Sequence, residues 1–339
     1  MARILTGIQS TNVPHLGNIL GAILPGIELS KMPGNEAFFF IADFHSLTTI
    51  HDPEVLRENT YATAAAWLAL GFNTDRGFFY RQSDIPEVTE LTWYLTCFFP
   101  FSRLELAHSF KDKSDRLDAV SSGLFFYPML MAADILMYDA NVVPVGKDQK
   151  QHIEFTRDVA ERINNRFGAD TFVIPDAMIR QEVQTVPGIF KDPDGSFVKM
   201  SKSYNNTINI FVSDKELLKR VNQIQTDATP IEEAKNPDTC LVYSIFSMLA
   251  SAEKTAELRE DYLKPGLGYG HAKRRLYDAL IERFGEAREK YSYYMSNKKE
   301  LDMLLQEGAE KAGTIAYEVL SRVRSKMGYK KLAYFGGDI

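Results

Sequence analysis

Cysteine and tryptophan are scarce, with two of each in 339 residues. Cys97 and Cys240 lie far apart and form no CxxC pair. Neither a disulfide framework nor a structural zinc site is expected, and a reducing, cytoplasmic setting fits. No run of about 18 apolar residues occurs, so no membrane-spanning helix is expected. The apolar stretch from Leu91 to Phe101 is short and contains Pro100. The opening Met1-Ala2-Arg3-Ile4-Leu5 reaches turn residues at once and reads as no targeting segment. Positive charge is not in surplus: 39 Lys and Arg stand against 45 Asp and Glu, a net charge of −6. Global charge therefore announces no nucleic-acid partner, and any such contact must use local basic patches. What is present is an ordinary globular composition, 45% hydrophobic and 25% charged. At roughly 100–200 residues per domain, two domains are expected.

The first half alternates strand and helix signals. Ile4 to Ile8 reads as a strand, followed by the turn-rich Gln9-Ser10-Thr11-Asn12-Val13-Pro14 and a helix from Leu16 towards Met32. Glu36 to Ala42, with Phe38-Phe39-Phe40-Ile41, reads as a strand buried on both faces. Asp52-Pro53-Glu54 is a helix start with an acidic N-cap and proline at the first position, and that helix should run to Leu70 and stop at Gly71. Gly77 to Tyr80 and Asn141 to Val145 are further strands, and Asp148 to Phe167 a further helix. This order predicts an α/β fold with a doubly wound parallel sheet. After about residue 205 the periodicity turns helical. The clearest stripe is Leu301, Leu304, Leu305, Ala312, Ile315, Ala316, Val319, Leu320 and Val323. The expected division is residues 1–205 as the sheet domain and 206–339 as an all-helical second domain.

The most informative string is Lys199-Met200-Ser201-Lys202-Ser203. At average residue usage it would arise by chance in about one chain in 10⁴ of this length. It stands in a polar stretch after Asp192-Pro193-Asp194-Gly195-Ser196. Taken by itself it reads as a solvated loop. A second string, Pro14-His15-Leu16-Gly17-Asn18, follows the first strand and opens the first helix. A helix start presents free N–H groups and suits phosphate. Gly17 lets a nucleotide approach the backbone, and His15 and Asn18 can donate to phosphoryl oxygens. Together the strings resemble the paired signatures of class I aminoacyl-tRNA synthetases: His15 to Asn18 for the HIGH type, Lys199 to Ser203 for KMSKS. Asn18 replaces the final His, a change usual in one member of the class. In that member Thr is common where His15 stands.

Three more segments resemble the tryptophanyl-tRNA synthetase family in order and spacing. They are Thr6-Gly7-Ile8-Gln9, Met131-Ala132-Ala133-Asp134-Ile135-Leu136, and Pro144-Val145-Gly146-Lys147-Asp148-Gln149-Lys150-Gln151-His152. Gly268-Tyr269-Gly270-His271 resembles a segment of its helical domain, and equally reads as a glycine-rich loop. The resemblance implies a Rossmann-like catalytic domain, a helical anticodon-binding domain and a homodimer. It places Gln9, Ser10, Thr11, Gly17, Asn18, Gly146, Lys147, Asp148, Val186 and Lys199 to Ser203 on the ATP side. Val186 reads equally as a strand core residue. It places Gly7, His45, Tyr127 and Gln149 around the amino-acid substrate, with Gln9 also matching a position at that substrate's amino or carboxylate end. His45 reads equally as a polar residue ending a strand.

The residues point to tryptophan independently. Pro128 suits the first turn of a helix running to about Tyr138. Tyr127, Met131 and Asp134 then share a face, and Val143 and Val145 point the same way on the next strand. An aromatic, a thioether, two valines and one carboxylate make an apolar slot with one acceptor. Indole has one N–H donor, and Asp134 is its natural partner. Asp134 could instead pair with a neighbouring base.

The resemblance implies two steps: tryptophan and ATP give tryptophanyl-adenylate and pyrophosphate, and the acyl group then passes to the 3′ end of tRNA(Trp). His15, Asn18, Lys199, Lys202 and Ser203 would act in the first step, with Mg²⁺ expected on the phosphates. No protein metal ligands are expected. Basic clusters at Lys273-Arg274-Arg275 and at Arg322, Arg324, Lys326, Lys330 and Lys331, with Tyr329, Tyr334 and Phe335, could meet RNA or could be solvated helix ends. The aromatic Leu91 to Phe101 stretch reads as core or as a subunit interface. A tyrosyl-tRNA synthetase, a small-molecule nucleotidyltransferase and a catalytically silent RNA-binding relative are the competing readings.

Overall fold

The computed structural model describes residues 2–107, 121–146, 149–179 and 185–330. Five strands form a parallel sheet in the order β3-β2-β1-β4-β5: β1 Ala2–Ile8, β2 Asn35–Ile41, β3 Gly77–Arg81, β4 Val142–Val145 and β5 Asp176–Ile179. The chain builds outward from β1 to β3, then returns to the other side of β1 with β4. The order thus reverses between β1 and β4, and ligands in such sheets bind outside the strand ends at that point. β1 and β4 register at Ile4–Val142, near the start of both, so they do not pair towards their C-terminal ends.

Both faces of the sheet are covered, as the continuous apolar run in β2 requires. Phe39 and Ile41 pack with Trp67, Phe72 and the helix Pro53–Ala69 on one face. Phe38 and Phe40 pack on the other, where Phe38 stacks on Phe78 at 4.1 Å. The helix over the first face begins as read: Asp52 caps it by accepting from the N–H groups of Glu54 and Val55. Gly71, at φ +97°, turns the chain just beyond its C-cap, Leu70.

Four local expectations differ from the structure. The helix after residue 15 runs as Leu16–Asn18, a π-helical turn Ile19–Ile23 and Leu24–Lys31. Pro128 lies inside the helix Ser122–Leu136, not in its first turn, because Ser121 caps it earlier by accepting from Leu124 N–H. Burial of Leu124, Met129, Ala132, Ala133 and Ile135 outweighs the backbone hydrogen bond a proline forgoes. Lys199 to Ser203 is no simple loop. Lys199 ends an antiparallel hairpin, β6 Pro187–Lys191 with β7 Phe197–Lys199, and Lys202–Tyr204 is a short 3₁₀ turn. Gly268 to His271 is a helix start, Gly268 being the N-cap of Tyr269–Ser296.

Beyond residue 213 the described elements are helical. Their core is nevertheless continuous with the sheet's: Ile4, Ile19 and Phe39 belong to one hydrophobic cluster with Met200, Ile208, Leu241, Ile245, Leu276 and Leu301. The division near residue 205 therefore marks a change of secondary structure, not a gap in packing. The last helix, Lys298–Lys326, returns to the sheet. Its Leu301 and Leu305 join the core on one face, and its Ala309, Ala312, Ala316 and Leu320 join the core on the other. It crosses the outer edge of β3 at Gly308, where a Cβ would overlap the carbonyl of Phe79. Asp302 fixes the crossing by accepting from Arg81 at 2.7 Å and from the Tyr61 hydroxyl at 3.0 Å. Among the described residues no helix is long and apolar enough to cross a membrane.

Candidate active site

The turn between β1 and the first helix is shaped by a reciprocal cap. His15 Nδ1 accepts from Asn18 N–H at 3.3 Å, and Asn18 Oδ1 accepts from His15 N–H at 3.1 Å. With Nδ1 engaged as an acceptor, the hydrogen-bond network assigns the ring proton to Nε2. Burial, and then the nearby charges of Lys202 and Lys199, hold the His15 imidazole down to about 4. At neutral pH it is an uncharged donor.

The Lys199 string docks onto this turn. Met200 is buried; its N–H donates to Val186 C=O at 2.9 Å, and its sulfur accepts from Gly17 N–H at 3.3 Å. A Cβ on Gly17 would stand 3.3 Å from the Met200 Cβ and 3.0 Å from the His15 ring. Gly17 is thus the point where two strings more than 180 residues apart meet. A cleft of about 600 Å³ opens beside it, at the switch point of the sheet. Thr6, His15, Gly17, Asn18, Val145, Gly146, Val186, Lys199, Met200 and Ser201 are among its walls. A smaller cavity of about 190 Å³ lies against Gln9, Thr11, His15, Asn18, Ser201 and Lys202. Burial lowers the Lys202 ammonium to about 8.

A separate polar cluster forms where β2 and β3 end. His45 stands on the short helical turn Asp43–Ser46 after β2, and Gln82 opens the turn Gln82–Asp84 after β3. Both reach Asp134, which is 4% exposed. Gln82 Nε2 donates to Oδ1 at 2.7 Å, and His45 Nε2 lies 2.8 Å from Oδ2. Burial raises the Asp134 carboxyl, and the bonds from His45 and Gln82 oppose that rise by favouring the carboxylate. Tyr127 lies edge-on to His45, and its hydroxyl lies 2.9 Å from His152 Nε2. Asp43 holds the Gln82 turn by accepting from Ser83 N–H at 3.0 Å and from the Ser83 hydroxyl at 2.5 Å.

The structure brings most of the sequence-derived residues to these places. Met131 and Val145 are half-buried, Val143 is buried, and all three pack on the Asp134 side of the sheet. Gly7 pairs in register with Phe40, and a Cβ on Gly7 would overlap that ring. Gln149 precedes the helix Lys150–Phe167, and its N–H donates to Gly146 C=O at 3.0 Å. Two residues face elsewhere. Ser10 is fully buried, with its hydroxyl on Ser46 and Thr60 behind the turn. Ser203 is exposed on the 3₁₀ turn and lines neither cavity. Lys147 and Asp148 lie outside the described residues. Gln82 and Asn206 were not singled out from sequence, and Thr6 only as part of a family segment. Gln82 carried a readable signal, since it is a polar residue directly after a parallel strand.

The basic clusters are largely engaged. Arg274 pairs with Asp278, Arg275 with Asp261, Arg322 with Asp139, Arg324 with Glu90 and Lys326 with Asp170. Lys273 donates to Asn222 C=O. Tyr329 stacks on Tyr94, and Lys330 is exposed. Lys331, Tyr334 and Phe335 lie outside the described residues. The aromatic stretch divides: Leu91, Tyr94, Leu95 and Phe99 are buried, while Trp93 and Phe101 are 66% and 63% exposed.

The family model of class I tRNA synthetases for W and Y matches residues 1–285. The tryptophan–tRNA ligase of Fusobacterium nucleatum is 44% identical over 328 residues, covering 97% of this chain and 98% of that one. The corresponding ligase of Pseudomonas putida is 44% identical over 338 residues, covering 97% of this chain and 74% of its own length. Among solved structures, the tryptophanyl-tRNA synthetase of Campylobacter jejuni complexed with ADP and tryptophan matches with a TM-score of 0.90 and 42% identity. That match covers 96% of this chain and 99% of the other.

Proposed function

Because this chain belongs to the class I tRNA synthetases of the tryptophan and tyrosine group, we propose a division of labour within its cleft. The chain activates L-tryptophan with ATP and transfers the tryptophanyl group to tRNA(Trp). The observation that carries the site assignment is the contact of Met200 sulfur with Gly17 N–H. It docks the two signature strings on one cleft.

In the first step a tryptophan carboxylate oxygen attacks the α-phosphorus of ATP. The bond from that phosphorus to the bridging oxygen breaks, and pyrophosphate leaves. His15 and Asn18 at the helix start, with Lys199 and Lys202 opposite, supply donors where negative charge gathers. A neutral His15 donates through Nε2 without competing with the lysines for positive charge. Gly17, Val145, Gly146 and Val186 form the nucleotide side of the cleft, with Gln9 and Thr11 on the smaller cavity. Tyr127, Met131, Val145 and Asp134 take the indole, and Asp134 accepts its N–H. In the second step the terminal ribose hydroxyl of the tRNA attacks the acyl carbon and AMP leaves. Mg²⁺ would neutralise phosphate charge. Among the described residues no carboxylate lines the two cavities, so phosphate oxygens and water would be the ligands of such an ion, while the donors named above would bind the remaining phosphate oxygens.

Lys202 gives this reading a pH dependence. An ammonium at about 8 is charged below that value and neutral above it. The kcat/KM for ATP should therefore fall as pH rises through about 8, since that ratio reports the free enzyme. Bound phosphate favours the charged amine, so the limb in kcat should lie at higher pH. A Lys202→Met enzyme should lack the alkaline limb at 8, which a pH series on both enzymes checks.

A homodimer accounts for Trp93, Phe101, Leu106 and Phe126, large side chains left exposed on and around the helices Glu87–Phe98 and Ser122–Leu136. Sedimentation equilibrium should give twice the chain mass, and Trp93→Asp with Phe101→Asp should shift it towards the monomer. Cys97 and Cys240, both free, support a reducing, cytoplasmic setting. The defining experiment is ATP–pyrophosphate exchange with tryptophan and with tyrosine. Exchange with tryptophan is expected; exchange with tyrosine alone would move the chain to the sister activity.

A further inference from the structure

One side chain holds the hairpin that carries Lys199 to Ser203. Asn206 is fully buried and lines neither cavity. Its Oδ1 accepts from Ser201 N–H at 2.7 Å, and its Nδ2 donates to Lys199 C=O at 3.1 Å. It therefore bridges the backbone on both sides of Met200. Its own carbonyl accepts from Ile189 N–H at 3.1 Å, which ties the same residue to β6. Asn205, at φ +47°, turns the chain just before it. Gly188 makes the fit tight, since a Cβ there would overlap the Asn206 side-chain amide. The match is chemical as well as steric. An amide supplies one acceptor and one donor, whereas aspartate offers no donor and alanine neither group.

We propose that Asn206 is a positioning residue for ATP activation: by fixing the backbone from Lys199 to Ser201 it seats Met200 against Gly17 and holds Lys199 and Lys202 towards the His15–Asn18 turn. The proposal rests on the functional reading above. A loop released from Asn206 keeps its lysines but loses their aim. A displacement of about 1 Å in a group that positions substrate can lower a rate about 10²-fold.

The test uses the full chain carrying Asn206→Ala, Asn206→Asp or Gly188→Ala. Pyrophosphate exchange is measured across ATP concentrations, and tryptophan binding by equilibrium dialysis. In Asn206→Ala the kcat/KM for ATP should fall about 10²-fold, while tryptophan binding stays within about twofold of the parent. Asn206→Asp keeps the acceptor for Ser201 N–H, loses the donor to Lys199, and should fall in the same direction. Gly188→Ala should reproduce the defect by displacing an unaltered Asn206, and it carries the test if Asn206→Ala does not fold. Unchanged ATP parameters in folded variants would overturn the proposal. So would a parallel loss of ATP use and tryptophan binding, which would make Asn206 merely structural. A parent enzyme without tryptophan-dependent exchange overturns the functional reading and this proposal together; an active parent with indifferent variants overturns this proposal alone.

Discussion

Tryptophan whose indole N–H is replaced by sulfur, the benzothienyl analogue, should be activated on the order of 10⁴-fold less efficiently than tryptophan. The analogue keeps nearly the same shape and apolar surface, so the apolar walls proposed above, Tyr127, Met131 and Val145, would not refuse it. What it lacks is the N–H that the proposed contact with Asp134 uses. Asp134 already accepts from Gln82 at 2.7 Å and faces His45 at 2.8 Å, and both contacts favour its charged form. A sulfur lone pair against that carboxylate replaces an attractive hydrogen bond with a repulsive contact in a buried site, which is the situation that gives hydrogen-bonding sites their large discrimination. Asp134→Ala should lose tryptophan activation by a comparable factor and lose preference between the two ligands. Competitive pyrophosphate exchange with both ligands measures both effects. Equal use of the analogue by the parent enzyme would remove Asp134 from the indole.

The second large effect concerns the lysines. Lys199→Ala and Lys202→Ala should each lower the rate of tryptophan-dependent exchange by about 10²–10³-fold, with tryptophan binding preserved. Lys199 lines the larger cleft and Lys202 the smaller cavity, and both cavities also border His15 and Asn18. Residues acting on one phosphate chain work as a unit. The double variant should therefore lose less than the product of the single losses. Rapid-quench measurement of adenylate formation separates this loss in chemistry from a loss in substrate binding. A fall in tryptophan affinity without a fall in the chemical step would place the lysines elsewhere.

What could be read in the sequence was what local chemistry encodes. His15, Gly17 and Asn18 announce themselves because a helix start needs caps within four residues, and the cap found is reciprocal between His15 and Asn18. The face of Tyr127, Met131 and Asp134 follows from helical spacing alone, which is why it survives the displacement of Pro128 to the helix interior. The partners of Gln82 and Asn206 resist reading for the opposite reason, although the place of Gln82 after a strand is itself a signal. The partner of Gln82 lies 52 residues away on another element, and the fit of Asn206 depends on a missing side chain at Gly188. Ser10 is the converse case: the resemblance sets it on the ATP side, and the fold turns its hydroxyl inward to Ser46 and Thr60. The basic clusters read equally as an RNA face or as solvated helix ends, and their pairing with Asp139, Glu90, Asp170 and Asp261 depends on tertiary neighbours that no charge count reveals.

The crossing of the last helix over Gly308 has a consequence for biosynthesis. β3 is an outermost strand, and its free side is a row of backbone groups able to recruit a strand from another chain. The element that covers it begins roughly two hundred residues later, at Lys298. A chain emerging N-terminus first thus carries an aromatic, incompletely shielded sheet through most of its synthesis. Truncation before Gly308 or premature termination there leaves that edge bare for good, and such fragments should aggregate through it, beyond any defined dimer.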